Sequence, residues 1–203
     1  MYPELKTRLV LASGSPSRAR LLAAAGFKFD VHPSDLDERA ARDAMRRDGA
    51  LQADDVAEVL ARAKAEQVSA LHPEALTIGS DQVLALGDRL FEKPATMEAA
   101  RQTLLDLSGK THKLHCAVAL ARNGATLWSE VHQASLTMRR LNLQEIGRYL
   151  AGAGEGVLTS VGAYQLEGLG ANLFETVEGD YFTILGLPLL SLLGALHEQG
   201  ALA

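Results

Sequence analysis

A small hydroxyl-rich loop near the start of the chain, residues 13–18, has the residue types that bind a phosphate. It follows an apolar segment that predicts a buried strand, and Pro16 suits the first turn of the helix that comes next. Backbone N–H groups at a helix N-terminus and the hydroxyls of Ser13 and Ser15 can donate hydrogen bonds to an anion, and the guanidinium of Arg18 adds a positive charge. The sequence therefore predicts a phosphate-binding loop.

An acidic residue, Asp81, follows a second apolar segment, residues 76–80, and we expect it at the end of a buried strand. In open α/β sheets, ligands bind at the carboxyl ends of the strands. An acid at that place can accept a proton from water or bind a divalent metal ion. The structural alternative is an aspartate that caps a turn.

Two lysines are candidate cations for a phosphate. Lys93 precedes Pro94, which keeps its backbone extended, and a lysine held in this way acts as a point charge on a phosphate oxygen. Lys64 lies in an Ala-rich segment whose apolar residues recur at helical spacing. For both lysines, a solvated surface position is the alternative.

Three further acidic residues lie in predicted turns. Asp37 and Glu38 are adjacent, and paired carboxylates bind Mg²⁺ while substrate phosphates supply the other ligands. Glu167 precedes glycines at positions 168 and 170, which allow a close backbone approach, so its carboxylate can accept hydrogen bonds from the edge of a base. Solvated loop acids are the alternative for all three.

Composition limits the classes of function. The chain has 203 residues, of which 47% are hydrophobic and 22% charged, so it is long enough for a sizeable core and typical of a globular protein. The net charge of −5 argues against binding to polymeric nucleic acid. The single cysteine, Cys116, excludes an internal disulfide and a cysteine-based zinc site, and its apolar neighbours predict a buried position.

No segment approaches the roughly 20 apolar residues that span a bilayer, and the first residues do not have the pattern of a secretion signal. We therefore expect a cytoplasmic protein with no membrane partner. Helical and strand patterns alternate along the chain and predict an α/β fold with a mixed sheet.

Several local features are also predicted. Asn123-Gly124 indicates a β-hairpin, and Asp54 or Asp55 is expected to cap a helix. Residues 40–53 are expected to form a helix or a mobile insertion, and the glycine-rich residues 152–156 a flexible break.

Taken together, these segments resemble the Maf family of nucleoside triphosphate pyrophosphatases over nearly the whole chain. Each motif alone is a loose pattern, but their common order is specific. The motifs that carry the resemblance are residues 11–16 with Arg18, Asp37-Glu38, Lys64, and residues 78–83, 92–94, 107–112, 162–170, 178–181 and 186–188.

The resemblance implies an elongated mixed β-sheet flanked by helices, related to the inosine triphosphate pyrophosphatases. It implies a single domain over residues 1–203 with two lobes around a central cleft. The implied activity is hydrolysis of a nucleoside triphosphate to the monophosphate and pyrophosphate with Mg²⁺ or Mn²⁺, which clears non-standard or modified nucleotides. The family also suggests a homodimer.

The resemblance assigns roles to individual residues. Asp81 matches the aspartate that accepts a proton from the attacking water, and with Glu38 it is expected to bind the metal. The candidate ligands of the triphosphate are Ser13, Ser15, Arg18, Lys64 and Lys93.

Base selectivity in the family follows three positions, which correspond to Ser17, Gln82 and Glu167. The branch that acts on thymidine and uridine triphosphates typically has Arg, Thr and Gln there, and the 7-methylguanosine triphosphate branch has Trp, Gln and Glu. Gln82 and Glu167 match the second branch, and a carboxylate suits the N1–H and N2–H₂ donors of guanine. Ser17 replaces the tryptophan that would stack on a positively charged base. The expectation leans towards a purine like 7-methyl-GTP.

Two other functions stay open from the sequence. One is a nucleotide-binding regulator of septum formation and cell division with little turnover. Asp81, Lys64 and Lys93 argue against it, because a sensor does not need an acid that activates water. The other is a phosphatase that acts on a different phosphorylated metabolite and releases orthophosphate.

Overall fold

The computed structural model describes residues 4–47 and 52–202, which include seven strands and seven α-helices. The strands are β1 (Leu9–Leu11), β2 (Asp30–Val31), β3 (Leu76–Leu86), β4 (Arg89–Phe91), β5 (Thr111–Arg122), β6 (Ala125–Met138) and β7 (Phe174–Glu178). The helices are α1 (Pro16–Ala24), α2 (Glu38–Arg47), α3 (Ala53–Leu71), α4 (Met97–Leu107), α5 (Leu143–Ala153), α6 (Tyr181–Ile184) and α7 (Leu189–Glu198). Two 3-10 helices cover Gly154–Thr159 and Leu169–Leu173.

The strands form a mixed sheet in the order β2-β1-β3-β5-β6-β7, and β4 pairs with β3. Strand β1 is parallel to β2 and β3, whereas β4 is antiparallel to β3 and β7 is antiparallel to β6. The predicted α/β class, a mixed sheet flanked by helices, is confirmed. The hairpin between β5 and β6 turns at Asn123 and Gly124, whose φ angles of 50° and 78° are the left-handed values that a type I′ turn requires.

The chain divides into two compact units. The first unit comprises residues 1–81, 116–132 and 186–203, and the second comprises residues 82–115 and 133–185. Strands β3, β5 and β6 contribute residues to both units. The single-domain assignment and the central cleft between two lobes stay predictions. Within the described ranges, no helix is both long enough and apolar enough to cross a membrane.

Helix α3 and strand β1 provide much of the core of the first unit. All three residues of β1 are buried, as expected for a parallel strand that is covered on both faces. Val10 of β1 packs with Val68 of α3 and Ala75. Cys116 of β5 is fully buried, which confirms its prediction as an apolar core residue.

Helices α4 and α5 cover the core of the second unit, and both begin at well-formed N-caps. The Thr96 hydroxyl accepts a hydrogen bond from the N–H of Ala99 at 3.1 Å. Asn142 and Glu145 form a capping box, which satisfies N–H groups at the start of α5. The core that these helices cover includes Leu84, Leu104, Leu107, Leu114, Leu136 and Ile146.

Three local predictions are wrong. The strand expected to end at Asp81 does not end there, because β3 continues to Leu86 and pairs with β4. Gln52 is the N-cap of α3. Asp54 and Asp55 lie in the first turn of the helix, where their negative charges interact favourably with the positive end of the helix dipole. Residues 152–156 are not a break, because α5 continues into them and a 3-10 helix follows directly.

The segment expected as a helix or insertion, residues 40–53, is described only in part. Helix α2 takes up its first residues and α3 begins at its end, while residues 48–51 lie outside the described ranges.

A buried polar pair, His112 and Tyr164, lies in the second unit. His112 Nε2 and the Tyr164 hydroxyl oxygen are 2.7 Å apart, and the ring of Phe174 packs against both side chains. Burial lowers the pKa of His112 to about 4, because desolvation disfavours the imidazolium, and burial raises the pKa of Tyr164. His112 is therefore neutral near pH 7.

We expect His112 to make the protein less stable as the pH falls from about 6.5 to about 4. In that range the unfolded chain binds a proton at His112 and the folded chain does not, which costs up to about 3 kcal/mol of unfolding free energy. Urea unfolding of the wild type and His112→Gln at pH 7 and pH 4.5 measures the effect. If acid destabilises both proteins equally, His112 is not the cause.

Candidate functional site

The carboxylates of Asp81 and Glu38 meet at the ammonium of Lys64 in the first unit. Lys64 Nζ lies 2.6 Å from Asp81 Oδ1 and 2.6 Å from Glu38 Oε1. The side chains of Lys64 and Asp81 are only 10% and 7% exposed, whereas that of Glu38 is 44% exposed. Short charge-assisted hydrogen bonds of this kind fix the orientation of the carboxylates.

Gly79 lets α3 come close enough to β3 for this contact. A Cβ atom at Gly79 would lie 2.2 Å from the carbonyl oxygen of Ala61 and 2.7 Å from Ala65 Cβ, so a side chain would force the helix away. Lys64 precedes Ala65 on this helix, and Asp81 lies two residues after Gly79, on the same face of the strand. The glycine therefore sets the distance at which Lys64 reaches Asp81.

Arg42 of α2, which the sequence motifs did not indicate, lies near the same two carboxylates. Its Nη2 lies 3.8 Å from Glu38 Oε2 and 3.9 Å from Asp81 Oδ2, which is too far for a hydrogen bond. The Arg42 side chain is 11% exposed. Within the described residues, Arg42 Nε and Asp81 Oδ2 are both buried without a hydrogen-bond partner. The i, i+4 spacing of Glu38 and Arg42 is the signal that could have indicated this residue.

Asp37, the neighbour of Glu38, has a structural role. Its Oδ1 accepts a hydrogen bond from the N–H of Ala40 at 2.9 Å, and its carbonyl accepts one from the N–H of Ala41 at 3.0 Å. These are the bonds of a helix N-cap. Of the two adjacent acids, Glu38 is therefore the one that contacts Lys64.

The hydroxyl-rich loop belongs to the same unit and is bonded to β3. Arg18 donates a hydrogen bond from Nη1 to Ser13 Oγ at 2.9 Å and one from Nε to the carbonyl of Gly186 at 2.7 Å. Ser80 Oγ donates to the same carbonyl at 2.9 Å. Because Ser80 precedes Asp81 in β3, the carbonyl of Gly186 ties the loop to the strand that carries this aspartate.

Ser15 and Ser17 lie at the start of α1, which begins at Pro16 as predicted. The N–H of Ser15 donates to Ser13 Oγ at 3.3 Å, and Ser17 Oγ accepts from Arg20 Nη2 at 3.2 Å. The first N–H groups of a helix have no carbonyl partner within it, so this end of α1 presents donors. The geometry is compatible with the predicted phosphate loop.

Gln82, Lys93 and Glu167 belong to the second unit. Gln82 Nε2 donates to the carbonyls of Thr183 at 2.9 Å and Ile184 at 3.1 Å. Lys93 is exposed after β4, and Glu167 is exposed before the second 3-10 helix. The roles of all three residues in substrate binding stay predictions.

The acidic pair offers few donors for a metal ion. No group of three or more His, Cys, Asp or Glu side chains suited to a metal occurs in residues 4–47 and 52–202. Mg²⁺, however, is often held by one or two carboxylates together with waters and substrate phosphates. Asp81, with its buried unpartnered oxygen, and Glu38 fit a metal ion that shares its ligands with a phosphate.

A family model described as Maf-like protein matches residues 8–199. The chain belongs to the Maf-like protein family. A 7-methyl-GTP pyrophosphatase of Rhizobium etli is 54% identical to this chain over 195 residues, which cover 96% of this chain and 98% of that relative. A nucleoside triphosphate pyrophosphatase of Rhodopseudomonas palustris is 52% identical over 195 residues, 96% of this chain and 95% of that relative.

Among solved structures, a HAM1 protein from Coxiella burnetii matches this Maf-like chain with a TM-score of 0.42 and 20% identity. The match covers 66% of this chain and 74% of that one.

We expect Gly79→Ala to destabilise this Maf-like protein by about 1–3 kcal/mol, because the methyl group overlaps the backbone of α3. Gly194→Ala in α7 is the matched control, since its added Cβ meets no atom within 4 Å and alanine favours a helix by about 1 kcal/mol. Urea unfolding measures both changes. A Gly79→Ala protein as stable as the wild type would show that close packing at this position is not required.

Proposed function

We propose that this chain is a nucleoside triphosphate pyrophosphatase, a hydrolase that cleaves the anhydride bond between the α and β phosphates. The observation that supports this function best is the environment of the Asp81 carboxylate. Lys64 donates a hydrogen bond to one of its oxygens. Its other oxygen is buried without a hydrogen-bond partner among the described residues. The R. etli and R. palustris relatives, at 54% and 52% identity, are named as pyrophosphatases of nucleoside triphosphates. These names do not favour the regulator or the phosphatase.

In the proposed reaction, the carboxylate of Asp81 accepts a proton from the attacking water. The water oxygen forms a bond to phosphorus, the anhydride P–O bond breaks, and pyrophosphate leaves with the bonding electron pair. Lys64 keeps the carboxylate from rotating, because it holds Oδ1 at 2.6 Å. The base is therefore oriented before the substrate arrives, so little reorganisation is needed during the reaction.

The proposed ligands of the triphosphate are cations and hydroxyls: Ser13, Ser15, Arg18, Lys64 and Lys93. In the loop, Arg18 is already fixed by Ser13 and the Gly186 carbonyl, so little side-chain entropy is lost when it binds a phosphate. A divalent cation, Mg²⁺ or Mn²⁺, would be held by Asp81 and Glu38. When bound, it would offset negative charge on the phosphates.

We propose a purine like 7-methyl-GTP as the preferred base. Glu167 supplies a carboxylate for the N1–H and N2–H₂ donors of guanine, and Gln82 has the residue type of the 7-methylguanosine branch. The R. etli relative is named for 7-methyl-GTP. Ser17 offers no aromatic ring for stacking, so the selectivity falls mainly on the base edge. We also propose that the protein is a homodimer that clears modified nucleotides in the cytoplasm.

Asp81→Asn is expected to lower the rate of pyrophosphate release at least about 100-fold, because the amide cannot accept the proton of water. The assay measures pyrophosphate released from 7-methyl-GTP with Mg²⁺ or Mn²⁺, and nucleotide binding is measured by calorimetry. Asp88→Asn in the exposed β3–β4 turn is the control and should keep the wild-type rate.

Three results would contradict the proposal. Equal rates for Asp81→Asn and the wild type would remove Asp81 from catalysis. Release of orthophosphate would favour the phosphatase, and nucleotide binding without turnover in the wild type would favour the regulator.

Glu167→Gln is expected to lower the ratio of kcat/KM for 7-methyl-GTP over UTP by about tenfold or more, because hydrogen bonds to a charged acceptor contribute about 1.5–3 kcal/mol. Glu155→Gln, at an exposed acid in the same unit, is the control. Steady-state kinetics with both nucleotides give the ratio. If this ratio is the same in Glu167→Gln and the wild type, Glu167 does not recognise the base.

A further inference from the structure

We propose that Arg42 holds the place of the divalent cation when no nucleotide is bound, and that it moves to a phosphate oxygen when metal and nucleotide bind. This inference rests on the proposed function. Arg42 lies in α2, outside every motif on which the family resemblance depends. Two cations, Lys64 and Arg42, divide between them the four oxygens of Asp81 and Glu38.

One oxygen of each carboxylate contacts Lys64, and the other faces Arg42. Lys64 Nζ lies 2.6 Å from both Asp81 Oδ1 and Glu38 Oε1. Arg42 Nη2 lies 3.9 Å from Asp81 Oδ2 and 3.8 Å from Glu38 Oε2. The first gap between the carboxylates is therefore filled tightly by an ammonium, and the second is filled loosely by a guanidinium.

The loosely filled gap is the one that a metal ion would use. Mg²⁺ is held by carboxylates, so an ion held by Asp81 and Glu38 would repel the guanidinium of Arg42 from its present position. The four side chains also carry no net charge together, so the cluster attracts a third cation only weakly. Metal binding without nucleotide is therefore expected to be weak.

Arg42 has an unused donor that suits a phosphate. Its Nε is buried without a hydrogen-bond partner among residues 4–47 and 52–202. The side chain is only 11% exposed, so bulk water does not replace the missing partner. A guanidinium pairs with phosphate oxygens through two parallel N–H groups, of which Nε–H is one. If Arg42 leaves the carboxylates for a phosphate, it satisfies this donor and frees the gap for the metal.

The test measures the affinities of the full-length protein for Mn²⁺ and for inorganic pyrophosphate. Free Mn²⁺ is followed by electron paramagnetic resonance and pyrophosphate binding by calorimetry, with the Mn²⁺–pyrophosphate equilibrium included in the fit. Arg42→Gln is expected to bind Mn²⁺ about tenfold more tightly in the absence of pyrophosphate and to bind pyrophosphate about tenfold more weakly. With saturating pyrophosphate, its Mn²⁺ affinity should equal that of the wild type.

Two further variants separate this exchange from a general charge effect. Arg39→Gln removes the same charge from an exposed position on the same helix and should change neither affinity. Arg42→Lys keeps a positive charge but lacks the planar donors of the guanidinium. Its Mn²⁺ affinity should therefore be as weak as that of the wild type, while its pyrophosphate affinity should stay as low as that of Arg42→Gln. Circular dichroism and urea unfolding check that each variant is folded.

The proposal is overturned if Arg42→Gln changes only one affinity or neither. It is also overturned if Arg42→Gln still binds Mn²⁺ more tightly than the wild type with saturating pyrophosphate. That result would mean that Arg42 stays beside the carboxylates whether or not pyrophosphate is bound. None of these measurements uses turnover. A wild-type protein that releases no pyrophosphate from any nucleotide would contradict the proposed function separately, while the two affinities would still decide the role of Arg42.

Discussion

The buried ion pair between Lys64 and Asp81 is the constraint on which the site depends. A charged group removed from water is costly unless it is paired closely, and removal of one partner leaves the other charge uncompensated. The pair forms only because α3 runs very near β3, and that approach needs a residue without a side chain at position 79. The close packing of α3 on β3 at Gly79 is therefore also what brings the charges of Lys64 and Asp81 together.

Strand β3 uses its two faces for different purposes. Gly79 and Asp81 face α3, whereas Ser80 and Gln82 point to the opposite face because successive side chains alternate. Within the first unit, Ser80 donates to the carbonyl of Gly186. Within the second, Gln82 donates to the carbonyls of Thr183 and Ile184. One face of residues 79–82 therefore carries the carboxylate of Asp81. The side chains on the other face donate hydrogen bonds to backbone carbonyls.

Local chemistry explains which features the sequence could predict. The hairpin at Asn123-Gly124 was predictable because both residues tolerate left-handed φ angles, and the start of α1 because Pro16 fits the first turn of a helix. The end of β3 was only partly predictable. The apolar residues 83–86 indicate an extended segment, but its membership of the same strand as Asp81 depends on pairing with β4.

The site shows the same division. The sequence and the family resemblance pointed to Asp81, Lys64 and Glu38, and the structure brings these three side chains into contact. Arg42 was missed because its one local signal, the i, i+4 spacing from Glu38, is equally typical of an ion pair on a solvated helix surface. Its importance arises only when the fold places α2 beside β3, a contact distant in the chain.

The unpartnered oxygen of Asp81 has a cost that the fold must offset. A buried acceptor without a hydrogen bond destabilises a protein by about 1–3 kcal/mol. Filling the space with a donor side chain would remove that cost, but it would also occupy the lone pairs that the proposed reaction needs for the metal ion and for the proton of water. Arg42, held 3.9 Å from Asp81 Oδ2, gives a compromise. It supplies favourable charge to the carboxylate without forming the hydrogen bond that would block it.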